Sequence, residues 1–243
     1  MRELDWTGCP NVRDLGGLPT SLSATGATLT GRIARGPRRE LLTESGWSAA
    51  RDWGLTTVVD LRCPDEVGPR TGDPVVRPAV TESVTVLLAP TEDHADAEFR
   101  RTCFPILDSP AYWSHNWRIL PHLVRSALEA IADARPGVLV HCSAGRDRTG
   151  MISALLLGNA GVAPDDVAAD YATSVRAMAG QASQAPTADR QQTWTAEQVE
   201  SWVTRTTPLV RDAASCTDEA FDAIGLSTEH RHRLRGLLTT ETL

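Results

Sequence analysis

The chain has 243 residues, a length that allows one large domain or two small ones. Hydrophobic residues make up 41% of it, which is enough for a sizeable core and excludes a wholly disordered protein. The net charge of −7 disfavours a broad nucleic-acid-binding surface, so no nucleic-acid partner is expected. The five cysteines are widely spaced and form no CxxC pair, which excludes a disulfide-dense scaffold and a zinc ribbon.

The N-terminal residues contain no apolar run of signal-peptide length. The longest apolar stretch, residues 151–163, is interrupted by polar side chains and is too short to span a bilayer. The sequence therefore predicts a soluble, cytoplasmic protein without integral membrane association. Export without a recognisable signal stays open as an alternative.

The first half of the chain predicts loops, one helix and two strands. Residues 1–30 are rich in glycine, threonine and proline, which is typical of turns. A helix is expected over residues 41–53, because Gly54 follows it and capping residues begin it. The runs at residues 55–61 and 83–88 predict strands, and residues 89–111 are expected to be irregular.

The second half is dominated by helical patterns around one short strand. Residues 112–135 have helical spacing with a kink expected at Pro121, and the apolar residues 138–140 predict a central strand. Further helices are expected over residues 149–159, from Pro164 onward, and over residues 194–214 and 218–238. Residues 180–192 are poor in apolar side chains and predict a flexible connector.

Strands separated by helices predict an α/β fold in which helices flank a central, mostly parallel sheet. The helical patterns at the end of the chain predict a helical C-terminal subregion. A single domain over residues 1–243 is favoured over two.

The segment from His141 to Gly150 carries the chemistry, because it joins the predicted central strand to a helix. Six successive peptide N–H groups in such a turn can converge on one anion, and the helix directs its positive end to the same point. Gly145 permits a backbone angle that a side chain would obstruct. The expected phosphate-binding residues are Ser143, Ala144, Gly145, Arg146, Asp147 and Arg148.

Cys142 is the expected nucleophile, since it lies at the base of this cradle, where the N–H groups and Arg148 favour its thiolate form. Arg148 presents a planar fork that matches two phosphate oxygens. A thiolate in line with the bound phosphorus would form a cysteinyl-phosphate intermediate. The Thr149 hydroxyl can donate to the sulfur and ease its departure in the second step.

The order His-Cys, five residues, Arg and Ser/Thr resembles the phosphate loop of the protein-tyrosine phosphatase superfamily. Residues 11–17, Asn-Val-Arg-Asp-Leu-Gly-Gly, resemble the opening of its bacterial atypical branch, which includes dual-specificity and lipid phosphatases. Residues 31–35, the Val-Val-Asp-Leu-Arg run at 58–62 with the following Glu66, and the C-terminal tail resemble later segments of that branch. The resemblance implies the cysteine-phosphatase fold and a reaction without cofactor or metal.

The branch carries lysine where this chain has Arg146, and a second cation at the rim would suit a phosphoinositide or a phosphopeptide with acidic neighbours. The resemblance also implies that Arg13 and Asp14 support the loop from behind or contact substrate. His141 is expected to orient the loop by hydrogen bonding.

The general acid is Asp93, on the loop after the 83–88 strand, or Asp147 within the phosphate loop.

These observations predict a cysteine-dependent phosphomonoesterase that acts on phosphotyrosine, with phosphoserine, phosphothreonine or phosphoinositides as further substrates. Its partners would be phosphorylated proteins or lipids. A catalytically silent module that binds phosphoproteins is the alternative, and a rhodanese-like sulfurtransferase is a weaker one. The histidines show no metal-ligand spacing along the chain, so no metal site is expected.

Overall fold

The computed structural model describes residues 2–181 and 190–240, without the side chains of residues 190 and 192. Most of the connector expected over residues 180–192 therefore lies outside the described residues. At its end, Arg190–Thr193 forms a short 3-10 helix. None of the described helices is both long and apolar enough to cross a membrane.

A five-stranded sheet forms the centre of the molecule, with the strands in the order β1-β2-β5-β3-β4. All neighbouring strands pair in parallel except β1, which is antiparallel to β2. This topology confirms the expected α/β class with a mostly parallel sheet. The strands are β1 (Arg13–Asp14), β2 (Ile33–Gly36), β3 (Thr57–Asp60), β4 (Thr85–Leu88) and β5 (Val138–His141).

The sheet has a hydrophobic core on each face, and successive strand residues point alternately into the two cores. Val138 and Val140 pack into the larger core, whereas Leu139 between them packs into the smaller one. The first four helices of the chain are α1 (Glu44–Trp53), α2 (Pro78–Thr81), α3 (Ala97–Cys103) and α4 (Trp113–Ile119). The others are α5 (Pro121–Asp133), α6 (Asp147–Asn159), α7 (Pro164–Met178), α8 (Ala196–Ser215), α9 (Thr217–Ile224) and α10 (Thr228–Thr239).

Four local differences from the sequence expectations have simple causes. Strand β1 lies within residues 1–30, which were expected to form loops. Strand β2 follows that segment, where the sequence predicted no strand. The region expected to be irregular contains α3, whose first turn is capped by Asp96. At Pro121 the helix restarts as α5 instead of bending, because proline is favoured in a first turn. Gly225, in the left-handed conformation with φ 69°, divides the predicted last helix into α9 and α10.

Candidate active site

The segment from His141 to Gly150 leaves the central strand β5 and enters α6, as the sequence predicts. Gly145 has φ of 69°, and a Cβ on it would lie 2.3 Å from the carbonyl oxygen of Gly36. A side chain is therefore excluded at Gly145 by its backbone angle and by close contact with the end of β2. The Arg38 amide donates to the Ser143 carbonyl at 3.0 Å, which fixes the loop from the same side.

The loop presents unused hydrogen-bond donors beside the cysteine. Among the described residues, no acceptor receives the amide hydrogens of Ser143, Ala144 or Gly145. Cys142 is 3% exposed at the start of the loop, and the N-terminus of α6 follows directly. A helix N-terminus combined with free amides forms an anion-binding site.

Thr149 lies in the first turn of α6 with its side chain fully buried. Its hydroxyl has no hydrogen-bond partner among the described residues. A buried hydroxyl without a partner costs free energy, so its presence here calls for an explanation such as a catalytic role. This geometry is compatible with the expected donation to the cysteine sulfur.

Arg148 is buried and held by two carboxylates from other loops. Its Nη2 lies 2.7 Å from Oε1 of Glu66, and its Nη1 contacts Oε2 of the same carboxylate. Its Nε lies 3.7 Å from Oε2 of Glu92. The guanidinium plane is therefore fixed before any phosphate binds, with Glu66 as its bidentate partner.

Glu66 is itself held by residues at the end of β3. The amide of Cys63 donates to Oε2 of Glu66 at 2.9 Å, and Arg62 donates to the Glu66 carbonyl at 3.3 Å. Arg62 is fully buried and pairs with Asp60 at 2.7 Å and with Glu40 at 2.8 Å. Ion pairs and hydrogen bonds thus connect the end of β3 to Arg148 through Glu66.

Behind the loop, Asp170 on α7 is the centre of a buried ionic cluster. Arg13 and Arg35 approach its two carboxylate oxygens at 2.8 and 2.5 Å, and Arg2 approaches at 2.6 Å. Burial alone would raise the pKa of Asp170, but the surrounding guanidinium groups hold it far below its usual range. Arg35 also donates to the carbonyl oxygen of Gly145 at 2.9 Å, so the cluster supports the phosphate loop directly.

Of the two residues from the opening motif, Arg13 is connected to the loop through Asn11, and Asp14 has other partners among the described residues. It donates to the Asn11 side chain at 2.6 Å, and Asn11 donates to the carbonyls of Ala144 and Gly145, both at 3.3 Å. The second residue, Asp14, accepts hydrogen bonds from Gly16, Gly31 and Trp53. Arg13 is therefore placed to support the loop, whereas Asp14 organises the N-terminal segment and its role at the loop stays a prediction.

His141 is fully buried beneath the loop, with Nδ1 2.9 Å from the Cys142 carbonyl oxygen and Nε2 3.7 Å from Asp60. A carbonyl can only accept, so Nδ1 carries the hydrogen. Burial lowers the pKa of His141 to about 4, more than the Asp60 charge raises it. The ring is neutral at pH 7 and is placed for the orienting role expected of it.

The carboxylate of Asp147 is held by two donors at the mouth of the loop. The Tyr171 hydroxyl donates to one oxygen at 2.9 Å, and the Nε of Arg146 donates to the other at 2.9 Å. Burial, together with the Asp147 charge, raises the pKa of Tyr171 well above its usual range, so this hydroxyl stays a donor. Both donors favour the ionised form of Asp147.

Arg146 is 2% exposed, in contrast to the rim cation that the sequence suggested. Its guanidinium pairs with Asp147 and contacts the side-chain oxygen of Gln191. Gln191 is fully buried and donates to the Asp108 carbonyl at 3.1 Å. The Arg146 guanidinium therefore contacts protein side chains and not solvent, because Gln191 packs against it.

The two acids on the loop after β4 face different surroundings. Asp93, the first choice for the general acid, is exposed, and its carboxylate accepts from the Ala95 amide two residues later. The adjacent Glu92 is buried and faces Arg148 and His94. Adjacent acids on one loop are indistinguishable by sequence, since only the fold decides which side chain turns inward.

A buried cysteine in an amide-lined loop, with an arginine placed by an ion pair and a central parallel strand before it, defines the cysteine-dependent phosphatase class. A model of the tyrosine phosphatase family matches residues 4–239 of this sequence. The chain belongs to this family, which confirms the resemblance seen in the motifs.

Curated relatives carry corresponding names. The triple specificity protein phosphatase PtpB of Mycobacterium tuberculosis is 29% identical over 204 residues, covering 72% of this chain and 69% of that protein. A putative tyrosine-protein phosphatase of Cupriavidus necator is 30% identical over 179 residues, or 68% of this chain and 60% of the relative. A tyrosine-protein phosphatase of Nostoc commune is 33% identical over 141 residues, covering 58% and 47%. The matched region spans between 47% and 69% of these relatives' lengths.

Proposed function

We propose that this protein is a cysteine-dependent phosphomonoesterase that hydrolyses phosphotyrosine in proteins. The observation that carries the proposal is the position of Cys142 at the base of a loop with free amides, closed by the carboxylate-anchored Arg148. Family membership and the names of the relatives support the same reaction class. The amides from Ser143 to Arg148 would hold the three equatorial phosphate oxygens.

The reaction proceeds in two displacements at phosphorus. The Cys142 thiolate attacks in line, a P–S bond forms, and the P–O bond to the tyrosyl oxygen breaks as the Asp147 carboxyl gives that oxygen its proton. Water then attacks the cysteinyl phosphate and gives a proton to the Asp147 carboxylate, the P–S bond breaks, and inorganic phosphate leaves. Arg148 stabilises charge on the equatorial oxygens in both steps, and Thr149 donates to the departing sulfur in the second.

Asp147 is the best-supported group for the proton transfers. Its carboxylate lies at the start of α6, where the Tyr171 hydroxyl and Arg146 fix its orientation. These donors stabilise the carboxylate that remains after the first proton transfer, which then removes a proton from the attacking water. Asp93 is exposed and bonded to its own loop, which gives it weaker support as the acid of the first step.

Phosphotyrosine is the principal proposed substrate, with phosphoserine, phosphothreonine and phosphoinositides as further ones. The wider range is supported by the triple specificity in the name of one relative. The burial of Arg146 weakens the argument for a second phosphate beside the loop. We infer a cytoplasmic location, because a reducing compartment keeps a nucleophilic thiol active.

The first test is hydrolysis of a phosphotyrosine peptide in reductant and EDTA by wild type, Cys142→Ser and Cys216→Ser. Cys216 is exposed and far along the chain, so its variant is the matched control. We expect Cys142→Ser to lose turnover and to retain phosphate binding, while Cys216→Ser keeps wild-type activity. A folded wild type that binds phosphopeptides without hydrolysing them would favour the binding-module alternative, and turnover of thiosulfate would favour the sulfurtransferase.

A further inference from the structure

Three metal-ligand side chains that are separated in sequence meet beside Glu66 and Glu92, the two carboxylates that approach Arg148. The ligand atoms of Cys63, Asp65 and His94 all lie within 4.8 Å of one another. Cys63 and Asp65 flank the start of the 3-10 helix Pro64–Glu66, and His94 comes from the loop after β4. The sequence suggested no metal site because Asp65 and His94 are 29 residues apart and the parallel pairing of β3 with β4 brings their loops together.

A thiolate, a carboxylate and an imidazole together are typical ligands of a zinc-type ion. Thiolate and imidazole favour Zn²⁺ and its analogue Co²⁺ over Mg²⁺ and Ca²⁺, which prefer oxygen ligands only. In a tetrahedral zinc site the ligand atoms stand roughly 3.3–3.6 Å apart, so the three must close by about 1 Å around the ion. Asp65 is exposed and free to make this adjustment.

The surroundings support binding. Cys63, Asp65 and His94 line an open cavity of about 620 Å³, which gives an ion access from solvent and room for a water ligand. The His94 ring is fixed by Glu92, whose carboxylate lies 2.9 Å from Nε2. A carboxylate that holds a second ring nitrogen is the usual support of a metal-binding histidine.

We propose that Cys63, Asp65 and His94 form a binding site for one zinc-type divalent ion next to the carboxylates that hold Arg148. On binding, a metal–sulfur bond forms and the thiol proton passes to solvent, without any redox change. The site is separate from the cysteine of the phosphate loop, and it adjoins the two carboxylates, Glu66 and Glu92, that contact Arg148.

The test uses Co²⁺ as the probe in full-length Cys142→Ser protein, in which the catalytic thiol cannot bind the ion. We expect a thiolate-to-Co²⁺ charge-transfer band that saturates at one equivalent and disappears when Zn²⁺ is added in competition. Adding Cys63→Ser should abolish the band, whereas adding Cys216→Ser, at the exposed cysteine, should leave it unchanged.

Asp65→Asn provides a second variant that removes only an exposed carboxylate. It should keep the charge-transfer band and weaken Co²⁺ affinity on the order of 10-fold. Circular dichroism of each variant confirms that it is folded. A band that survives Cys63→Ser in folded protein, a band lost in Cys216→Ser, or no band in the parent would overturn the proposal.

Discussion

Arg148 of the phosphate loop and Glu66 form a buried, two-pronged ion pair, although 82 residues separate them along the chain. Both side chains are less than a tenth exposed. The pair holds both terminal nitrogens of the guanidinium and so fixes its plane beside the phosphate loop. The precision of the proposed phosphate site therefore depends on a residue outside the loop.

Glu66→Gln is expected to lower kcat/KM about 10- to 100-fold, because one side of an amide cannot accept from the guanidinium fork and Arg148 loses its orientation. Steady-state kinetics with a phosphotyrosine peptide measure this, together with the inhibition constant of vanadate. Glu66 is a positioning residue, so vanadate affinity should fall in parallel.

Glu44→Gln is the matched control for Glu66→Gln. Glu44 also makes a two-pronged contact, with Nε and Nη2 of Arg77, but on the surface of the protein. Its variant should keep wild-type kinetics. Equal activity of both variants would show that the Glu66 pair does not position Arg148.

Asp147→Asn is expected to lower kcat about 100-fold, because an amide cannot take up a proton and can accept a hydrogen bond from only one of the two donors, Tyr171 and Arg146. Asp93→Asn is the control, since Asp93 is exposed and is the rival assignment. Rates with p-nitrophenyl phosphate and phosphotyrosine peptide distinguish the steps. A larger loss in Asp93→Asn, concentrated on the poorer leaving group, would refute the assignment of the proton transfers to Asp147.

Asp170→Asn should reduce the free energy of unfolding by about 3 kcal/mol, because it leaves buried arginines without their counter-charge. Urea denaturation measures the loss. Asp222→Asn, which breaks an exposed pair with Arg231, should change stability little. If Asp170→Asn is as stable as Asp222→Asn, the buried cluster does not stabilise the fold.

The stability of the protein should fall between pH 6.5 and pH 4 through His141. Burial lowers the pKa of His141 to about 4, so below pH 6.5 the unfolded chain binds a proton that the folded protein does not. The loss attributable to this group reaches roughly 3 kcal/mol at pH 4. In the same range Asp60 keeps its charge, since Arg62 outweighs burial and lowers the pKa of Asp60 to about 2.

Urea unfolding of wild type, His141→Gln and the exposed-site control His232→Gln across this pH range measures the effect. His141→Gln should flatten the pH dependence, whereas His232→Gln should follow wild type. A slope that is unchanged in His141→Gln would show that this ring is not the source.

The contiguous part of the site was accessible from sequence. Cys142, Gly145, Arg148 and Thr149 lie within eight residues, so their spacing alone predicts a cradle between a strand and a helix. The strand and helix on either side were predicted from an apolar run and from helical periodicity. The structure places both at the expected positions.

The supporting residues were not accessible, because their partners are distant in sequence. A glutamate in a loop, such as Glu66, has the same local pattern whether it is solvated or bound to Arg148. Strand β2 was missed because Arg35 interrupts its apolar pattern, and that arginine is buried only because Asp170 neutralises it. The buried Arg146 likewise has a distant partner, the side chain of Gln191, which lies 45 residues later.

The most direct test of the central claim is to trap the intermediate. Wild-type protein is mixed with a phosphotyrosine peptide, quenched in acid within one turnover and digested for mass spectrometry. We predict a phosphate adduct on the peptide that contains Cys142, and no adduct in Cys142→Ser. Turnover of the peptide with phosphate found on another residue, or turnover that persists in Cys142→Ser, would contradict the account.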